Sequence, residues 1–281
     1  MSRVICLGHA ALDRLYRIEA FPPHPTKVRA IEHIESGGGM AANAAATIAR
    51  LGGKVELWSR IGEDDAGVKI RTGLKAYGVD IRYVQMFDEG RSSTSAIIVD
   101  DAGERLIVGN RDTNMPSGTS WLPLERVAKA SAVMADVRWL EGLRALFTQA
   151  RAEGVTTVLD ADLGAREALS EVLELTDFAI FSEPALKDFA AGQEPELALA
   201  RVLEMGPRHA GVTLGPKGYL WTDHTGTSRM PAFEVDVVDT TGAGDAFHGA
   251  FTLALVEGLD ATQCARFAAA AAALKCTRLG S

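Results

Sequence analysis

The chain has 281 residues, 47% hydrophobic and 23% charged, which is enough for one large α/β domain with a substantial core. A net charge of −8 argues against nucleic acid or an anionic membrane as the main partner, since both want a basic face. Cys6, Cys264 and Cys276 are odd in number, widely spaced and without a C-x-x-C pair, so neither a disulfide framework nor a zinc site is indicated and a reduced cytoplasm is the expected setting; no run is long and apolar enough to span a bilayer.

In chain order, short β-branched runs alternate with amphipathic or Ala-rich stretches. Strands are expected over 3–7, 54–59, 132–135, 156–160, 178–181 and 209–214. Helices are expected over 40–51, 66–77, 140–153, 165–175 and 197–205, and from Ala243 to about Leu255. This is the pattern of a mostly parallel, doubly wound sheet covered on both faces, in which ligands sit beyond the carboxyl ends of the strands. Two segments break the alternation. One, about 14–34, contains Phe21-Pro22-Pro23-His24-Pro25; the other, about 91–111, reads as a hairpin turned at Asp101-Ala102-Gly103. Both are assigned to a small β-lid inserted in a single domain over 1–281, since no repeat or low-complexity linker marks a second domain.

The string Asp239-Thr240-Thr241-Gly242-Ala243-Gly244-Asp245-Ala246-Phe247-His248-Gly249 joins an amide-rich turn to an acid at the start of a helix. Gly242 and Gly244 let backbone N–H groups approach an anion closely, and the helix adds its positive end. Asp245 is placed to take a proton from a hydroxyl while the amides stabilise charge on a transferred phosphoryl group. A lone G-x-G-D is more often a strand-to-helix turn with a capping Asp, but the whole string resembles the second signature of the PfkB/ribokinase family of carbohydrate and nucleoside kinases. That resemblance implies a ribokinase-like three-layer α/β/α fold, with Asp245 as catalytic base and Gly242, Ala243 and Gly244 as the anion hole. It also implies a monovalent-cation site for potassium at Asp239 and Thr241, and a lid that closes over the sugar and pairs two subunits as a homodimer. A lid suits the chemistry, because excluding water prevents hydrolysis of ATP in place of transfer.

A second match lies near the other end. Gly37-Gly38-Gly39-Met40-Ala41-Ala42-Asn43, followed by Gly52 and Gly62, is similar to the family's N-terminal signature. Gly38 and Gly39 form a backbone that a sugar can touch, and Asn43 offers a donor and acceptors to hydroxyls. Asp13 follows the first strand where these kinases keep a carboxylate for sugar hydroxyls; taken alone it reads as a loop acid. For ATP, Thr213-Leu214-Gly215-Pro216-Lys217-Gly218 resembles the family's T-x-G-x-x-G turn, which points to Thr213, Gly215 and Gly218. Phe181-Ser182-Glu183-Pro184-Ala185 stands at the N-x-x-E motif, which influences magnesium and phosphate binding. Ser182 replaces the Asn and Ala185 the last Glu, which leaves Ser182 for the nucleotide and Glu183 for the metal. Relatives usually continue past the position of Ser281 through a loop and helix that help cover adenine, so the adenine pocket is expected to be incomplete.

Strings such as Ala135-Asp136-Val137-Arg138-Trp139 and Ala273-Leu274-Lys275-Cys276-Thr277-Arg278 look like those of bacterial sulfofructose kinases, which phosphorylate 6-deoxy-6-sulfofructose at its 1-hydroxyl. The resemblance implies that Lys27 and Arg138 bind the sulfonate. The alternatives are an exposed lid lysine and a structural salt bridge. Gly109 stands where those relatives have Asn, with Asn110 one place later, and Asn43 replaces their Thr. The function expected is an ATP- and magnesium-dependent sugar kinase. A ketose or other sugar kinase without sulfonate specificity, and a non-catalytic sugar or nucleotide sensor on the same fold, are the alternatives.

Overall fold

A computed structural model describes residues 3–102, 104–112, 114–164 and 166–281. Gly103, in the expected hairpin turn, and Ala165, at the expected start of a helix, lie outside the described residues. In chain order the elements are β1 (Arg3–Gly8), β2 (Ala11–Arg17), β3 (Glu32–Gly38), α1 (Met40–Arg50), β4 (Lys54–Gly62), α2 (Asp65–Ala76), β5 (Asp80–Phe87), β6 (Ser93–Val99) and β7 (Arg105–Asn110). They continue as β8 (Ala132–Asp136), α3 (Leu140–Ala152), β9 (Thr156–Ala161), α4 (Arg166–Leu173), β10 (Phe178–Ser182), α5 (Glu183–Phe189), α6 (Pro195–Glu204), β11 (His209–Thr213), β12 (Tyr219–Asp223), β13 (Gly226–Met230), α7 (Ala243–Val256) and α8 (Ala261–Cys276).

Nine strands form one sheet in the order β13-β12-β11-β10-β9-β8-β1-β4-β5, parallel from β5 through β11, with β12 and β13 antiparallel at the edge. Residue alternation explains the layers. In β1, Val4 and Cys6 enter the core under α1, α7 and α8, while Ile5 and Leu7 enter the opposite core with Leu143 and Phe147 of α3. Both faces are therefore buried, as a parallel sheet requires. The chain leaves β1 for β4 on one side and later fills β8 on the other, so β1 and β8 diverge at a switch point where a crevice opens.

The four-stranded second sheet, in the order β3-β2-β6-β7, packs Leu15, Ile97 and Val99 with Ile34 and Leu279. Its presence overturns only the alternative in which Asp13 is a surface loop acid: Asp13 sits within β2, paired opposite Ser36 and Ser95 and only 8% exposed. Outside the lid sheet, three strands have no counterpart among the expected ones. β5 has mixed burial and a register shift against β4, and β12–β13 is an edge hairpin whose outer strand is polar, so neither gives a clear alternating signal. Among the described residues no helix is long and apolar enough to cross a membrane.

Candidate functional site

The site forms where α1, α7 and the end of α8 converge. Gly242 (φ 75°) starts α7 in the left-handed region that glycine adopts without strain. Asp245 then falls in the first turn of α7, where its Oδ2 accepts a hydrogen bond of 2.7 Å from Asn43 Nδ2 on the first turn of α1. Close helix packing makes that contact possible. A Cβ on Gly249 would lie 2.5 Å from Ala44 O, so only glycine there, against the alanines of α1, lets the two backbones approach. Asp245 is half-buried. Burial, reinforced by the charge of Asp160, pushes its carboxyl up to about 7, against the opposing hydrogen bond from Asn43. His248, one turn further along α7, is kept neutral chiefly by burial; its Nδ1 lies 2.7 Å from Gly244 O and its Nε2 3.4 Å from Asp160 Oδ1.

Asp136 organises the other half of the crevice. From the end of β8 its Oδ2 accepts from His9 N (2.8 Å) and Ala41 N (3.0 Å), and its Oδ1 from Arg138 N (2.9 Å). Gly39 gives α1 no side-chain cap, so this carboxylate, from a distant strand, satisfies an N-terminal amide of the helix. The glycines carry a steric requirement. A Cβ on Gly38 would meet Asp13 Oδ2 at 2.3 Å, and one on Gly39 would meet His9 O at 2.5 Å. Burial raises the Asp13 carboxyl above its ordinary value, opposed by hydrogen bonds from Ser95 and Ser281.

A cavity of about 330 Å³ opens beside Gly8 and His9, lined by Arg60, Arg91, Arg111 and Arg138 with Trp139. Of these four only Arg138 stands in a string that the sequence marks out; the others stand on β4 and in the segments before β6 and after β7, so only the fold gathers them. Arg60 lies over the Trp139 ring at 4.2 Å and donates to Pro116 O; burial lowers its guanidinium to about 10. Arg138 pairs with Asp162 Oδ2 (2.8 Å) and donates to Leu163 O (2.7 Å), so the salt bridge considered as the alternative is present. Among the described residues Arg60, Arg91 and Arg111 form no ion pair within 4.0 Å. His9 is held neutral mainly by burial, with the charges of Arg138, Arg111 and Arg60 acting in the same direction against that of Asp136. Its Nε2 is buried with no hydrogen-bond partner among the described residues. Lys27 is exposed and does not line this cavity.

The expected nucleotide residues gather at the ends of β10 and β11. Ser182 caps α5 by accepting from Ala185 N and donates to Asp162 Oδ1 at 2.9 Å, so Asp162 links it to Arg138. Thr213 Oγ1 donates to Phe181 O at 3.3 Å. Gly215 (φ 54°) has open space at its Cβ position, whereas a Cβ on Gly218 would strike Met230 O at 2.0 Å, so Gly218 is fixed by packing against β13. Glu183 is paired with Lys187 Nζ at 2.8 Å, and that partner holds its carboxyl below the usual range. Among the described residues no group of three or more His, Cys, Asp or Glu is arranged to hold a metal. A magnesium ion would therefore have to be carried largely on substrate phosphates, with carboxylates such as Glu183 available to join it.

Asp239 and Thr241, the residues expected at a monovalent-cation site, are bound to each other and to the end of α8. Asp239 Oδ1 accepts from Thr241 N (2.9 Å) and Thr241 Oγ1 (2.8 Å), and Oδ2 accepts from Gly280 N (2.9 Å). Lys275 Nζ stands 2.9 Å from Asp239 O, 3.3 Å from Arg278 O and 3.7 Å from Asp239 Oδ2. The Lys275 ammonium thus stands against the Asp239 carboxylate and two carbonyl oxygens.

The pfkB family carbohydrate kinase profile matches residues 1–281. An ATP-dependent ribose-1-phosphate kinase of Halopiger xanaduensis is 31% identical over 283 residues, covering 100% of this chain and 94% of the relative. A ribokinase of Bacillus subtilis is 28% identical, with 100% and 95% covered. Among solved structures, Arabidopsis thaliana ribokinase complexed with ribose and ATP superposes with a TM-score of 0.86 at 27% identity, covering 100% of this chain and 94% of that one. These neighbours share the ribokinase-like α/β architecture expected above. The chain belongs to the pfkB family of carbohydrate kinases, phosphotransferases with an alcohol group as acceptor.

Proposed function

We propose that this protein transfers the γ-phosphoryl group of ATP to a hydroxyl of a sugar that carries an anionic group, with 6-deoxy-6-sulfofructose, phosphorylated at its 1-hydroxyl, as one candidate. The observation that carries the kinase reading is Asp245 at the start of α7, raised to about 7 and oriented by Asn43. A carboxyl near the working pH is suited to accept a hydroxyl proton as the bond to phosphorus forms. Around it, the amides of Gly242, Ala243 and Gly244 take charge developing on the phosphoryl oxygens. Asp13, Gly38, Gly39 and Asn43 hold the sugar, and Thr213, Gly215, Gly218 and Ser182 face the nucleotide. Magnesium, bound with the nucleotide and near Glu183, supplies charge neutralisation on the phosphates. The domain is proposed to run over 1–281, with the two lid segments at about 14–34 and 91–111.

The anionic specificity rests on the cavity of four arginines, where a sulfonate or phosphate would meet bidentate donors. Lys27 would reach such a group only from the lid. A neutral ketose or other sugar is the second reading, favoured by the pairing of Arg138 with Asp162, which already neutralises one of those charges. The outer lid strand β7 exposes Leu106, Ile107 and Val108, which supports a homodimer through the lid; sedimentation in solution, compared with a Val108→Lys variant, tests that part.

The test of specificity is ADP release with ATP and magnesium on sulfofructose, fructose, fructose 6-phosphate, tagatose 6-phosphate, ribose, ribose 1-phosphate and adenosine. Turnover confined to sugars with a sulfonate or phosphate supports the anionic reading, and turnover on a neutral sugar reassigns the pocket. ATP binding without product on any of them would favour the sensor.

A further inference from the structure

The stretch from Asp239 to Thr241 is the backbone that leads into the Gly242 turn, and besides its own Asp239–Thr241 hydrogen bonds it is held by contacts from the last turn of α8 and the residues just after it. Cys276 O accepts from Val238 N (2.8 Å) and Asp239 N (3.1 Å), Gly280 N reaches Asp239 Oδ2, and Lys275 Nζ reaches Asp239 O and Arg278 O. Lys275 is 13% exposed at its side chain and Asp239 2%, so the ammonium and the carboxylate meet in a place largely withdrawn from water.

A buried carboxylate and two carbonyl oxygens turned to one point require a positive charge or donors, because leaving them unmet there is costly. A desolvated monovalent ion could supply that charge. The lysine supplies it instead, together with three N–H donors on a stem anchored in α8. Both cannot occupy the same set of oxygens.

We propose that Lys275 is a built-in replacement for a monovalent cation: its ammonium fixes the Asp239–Thr241 backbone, and through it the Gly242 turn, so that phosphoryl transfer needs no potassium. Lys275 is thus a positioning residue acting on the anion hole through Asp239. The inference rests on the kinase reading for its catalytic consequence and on geometry alone for the cation.

Two measurements separate these dependencies. The first is thermal unfolding of the full chain in potassium, sodium and tetramethylammonium chloride at matched ionic strength, for the wild type, Lys275→Ala and Lys275→Met. The wild type should show the same Tm in all three salts, and Lys275→Ala, with the space emptied, should gain a potassium-specific rise in Tm as an ion binds the freed oxygens. Lys275→Met keeps the packed stem without the charge, should be less stable than wild type, and stands in if the Ala variant does not fold. The second is turnover in the same salts. The wild type should vary by less than about twofold, whereas Lys275→Ala should lose roughly tenfold or more and recover part of it in potassium, the loss expected when a fixed electrostatic element is removed. A potassium-specific rise in both Tm and turnover of the wild type would overturn the proposal, as would full turnover of Lys275→Ala and Lys275→Met without any response to salt. Because the unfolding arm needs no substrate, it reads the proposal even if the kinase reading fails.

Discussion

Asn43 and Asp245 lie 202 residues apart in the chain, yet the Asn43 amide donates to the Asp245 carboxylate at 2.7 Å. That bond favours the ionised form of an acid that burial and the neighbouring Asp160 push the other way. The ionisation of the proposed base is therefore the difference between opposing influences that can be removed one at a time.

Asn43→Ala should move the acid limb of the kcat/KM profile up from its wild-type position, and Asp160→Asn should move it down. A pH–rate series on the two variants and the wild type checks the signs. Shifts in the same direction would mean that Asp245 does not set the limb.

Asp245 also weighs on the fold. Its folded-state value, about 7, lies above the ordinary 3.8, so its contribution to stability is fully present below the ordinary value and is lost as pH rises through about 7. Asp245→Asn should accordingly stabilise the protein by about 1–3 kcal/mol near pH 8, with the gain vanishing toward about pH 4. Chemical denaturation at both pH values measures it.

Gly249→Ala tests the packing that brings the pair together. The added Cβ, 2.5 Å from Ala44 O, must force α1 and α7 apart. The cost should be about 1–3 kcal/mol of stability, and the acid limb should shift upward as it does in Asn43→Ala. A destabilised variant with an unmoved limb would separate the helix contact from the Asn43–Asp245 bond.

Arg111→Ala and Arg138→Ala probe the basic cavity. Each should raise KM about tenfold for a sugar bearing a sulfonate or phosphate, the scale of one charge-assisted contact, while leaving KM for a neutral sugar nearly unchanged. Equal effects on charged and neutral sugars would remove these residues from an anion site.

The doubly wound sheet could be read from the sequence because β1, β8, β9 and β10 are short apolar runs buried on both faces and separated by amphipathic helices. The glycine turn before Asp245 was equally plain, since Gly242 with its positive φ leaves a compositional mark. Taken alone Asp13 reads as a loop acid because a strand of the second sheet that mixes Asp13, Arg14, Tyr16 and Arg17 with apolar residues gives no strong strand signal. Arg60, Arg91 and Arg111 carry no motif, and they become a group only when β4 and the flanks of β6 and β7 are folded around Trp139. Lys275 was visible only as one letter in a longer string, because its meaning depends on where a flexible stem ends, at Asp239 O, 36 residues away in the chain.

The most direct test of the account is the rate of ADP formation by the wild type and Asp245→Asn, measured at saturating ATP and magnesium with whichever sugar turns over. Loss of a general base should lower kcat by roughly a hundredfold or more, with ATP binding retained. Near-normal kcat in Asp245→Asn would contradict the central claim that this carboxylate takes the hydroxyl proton.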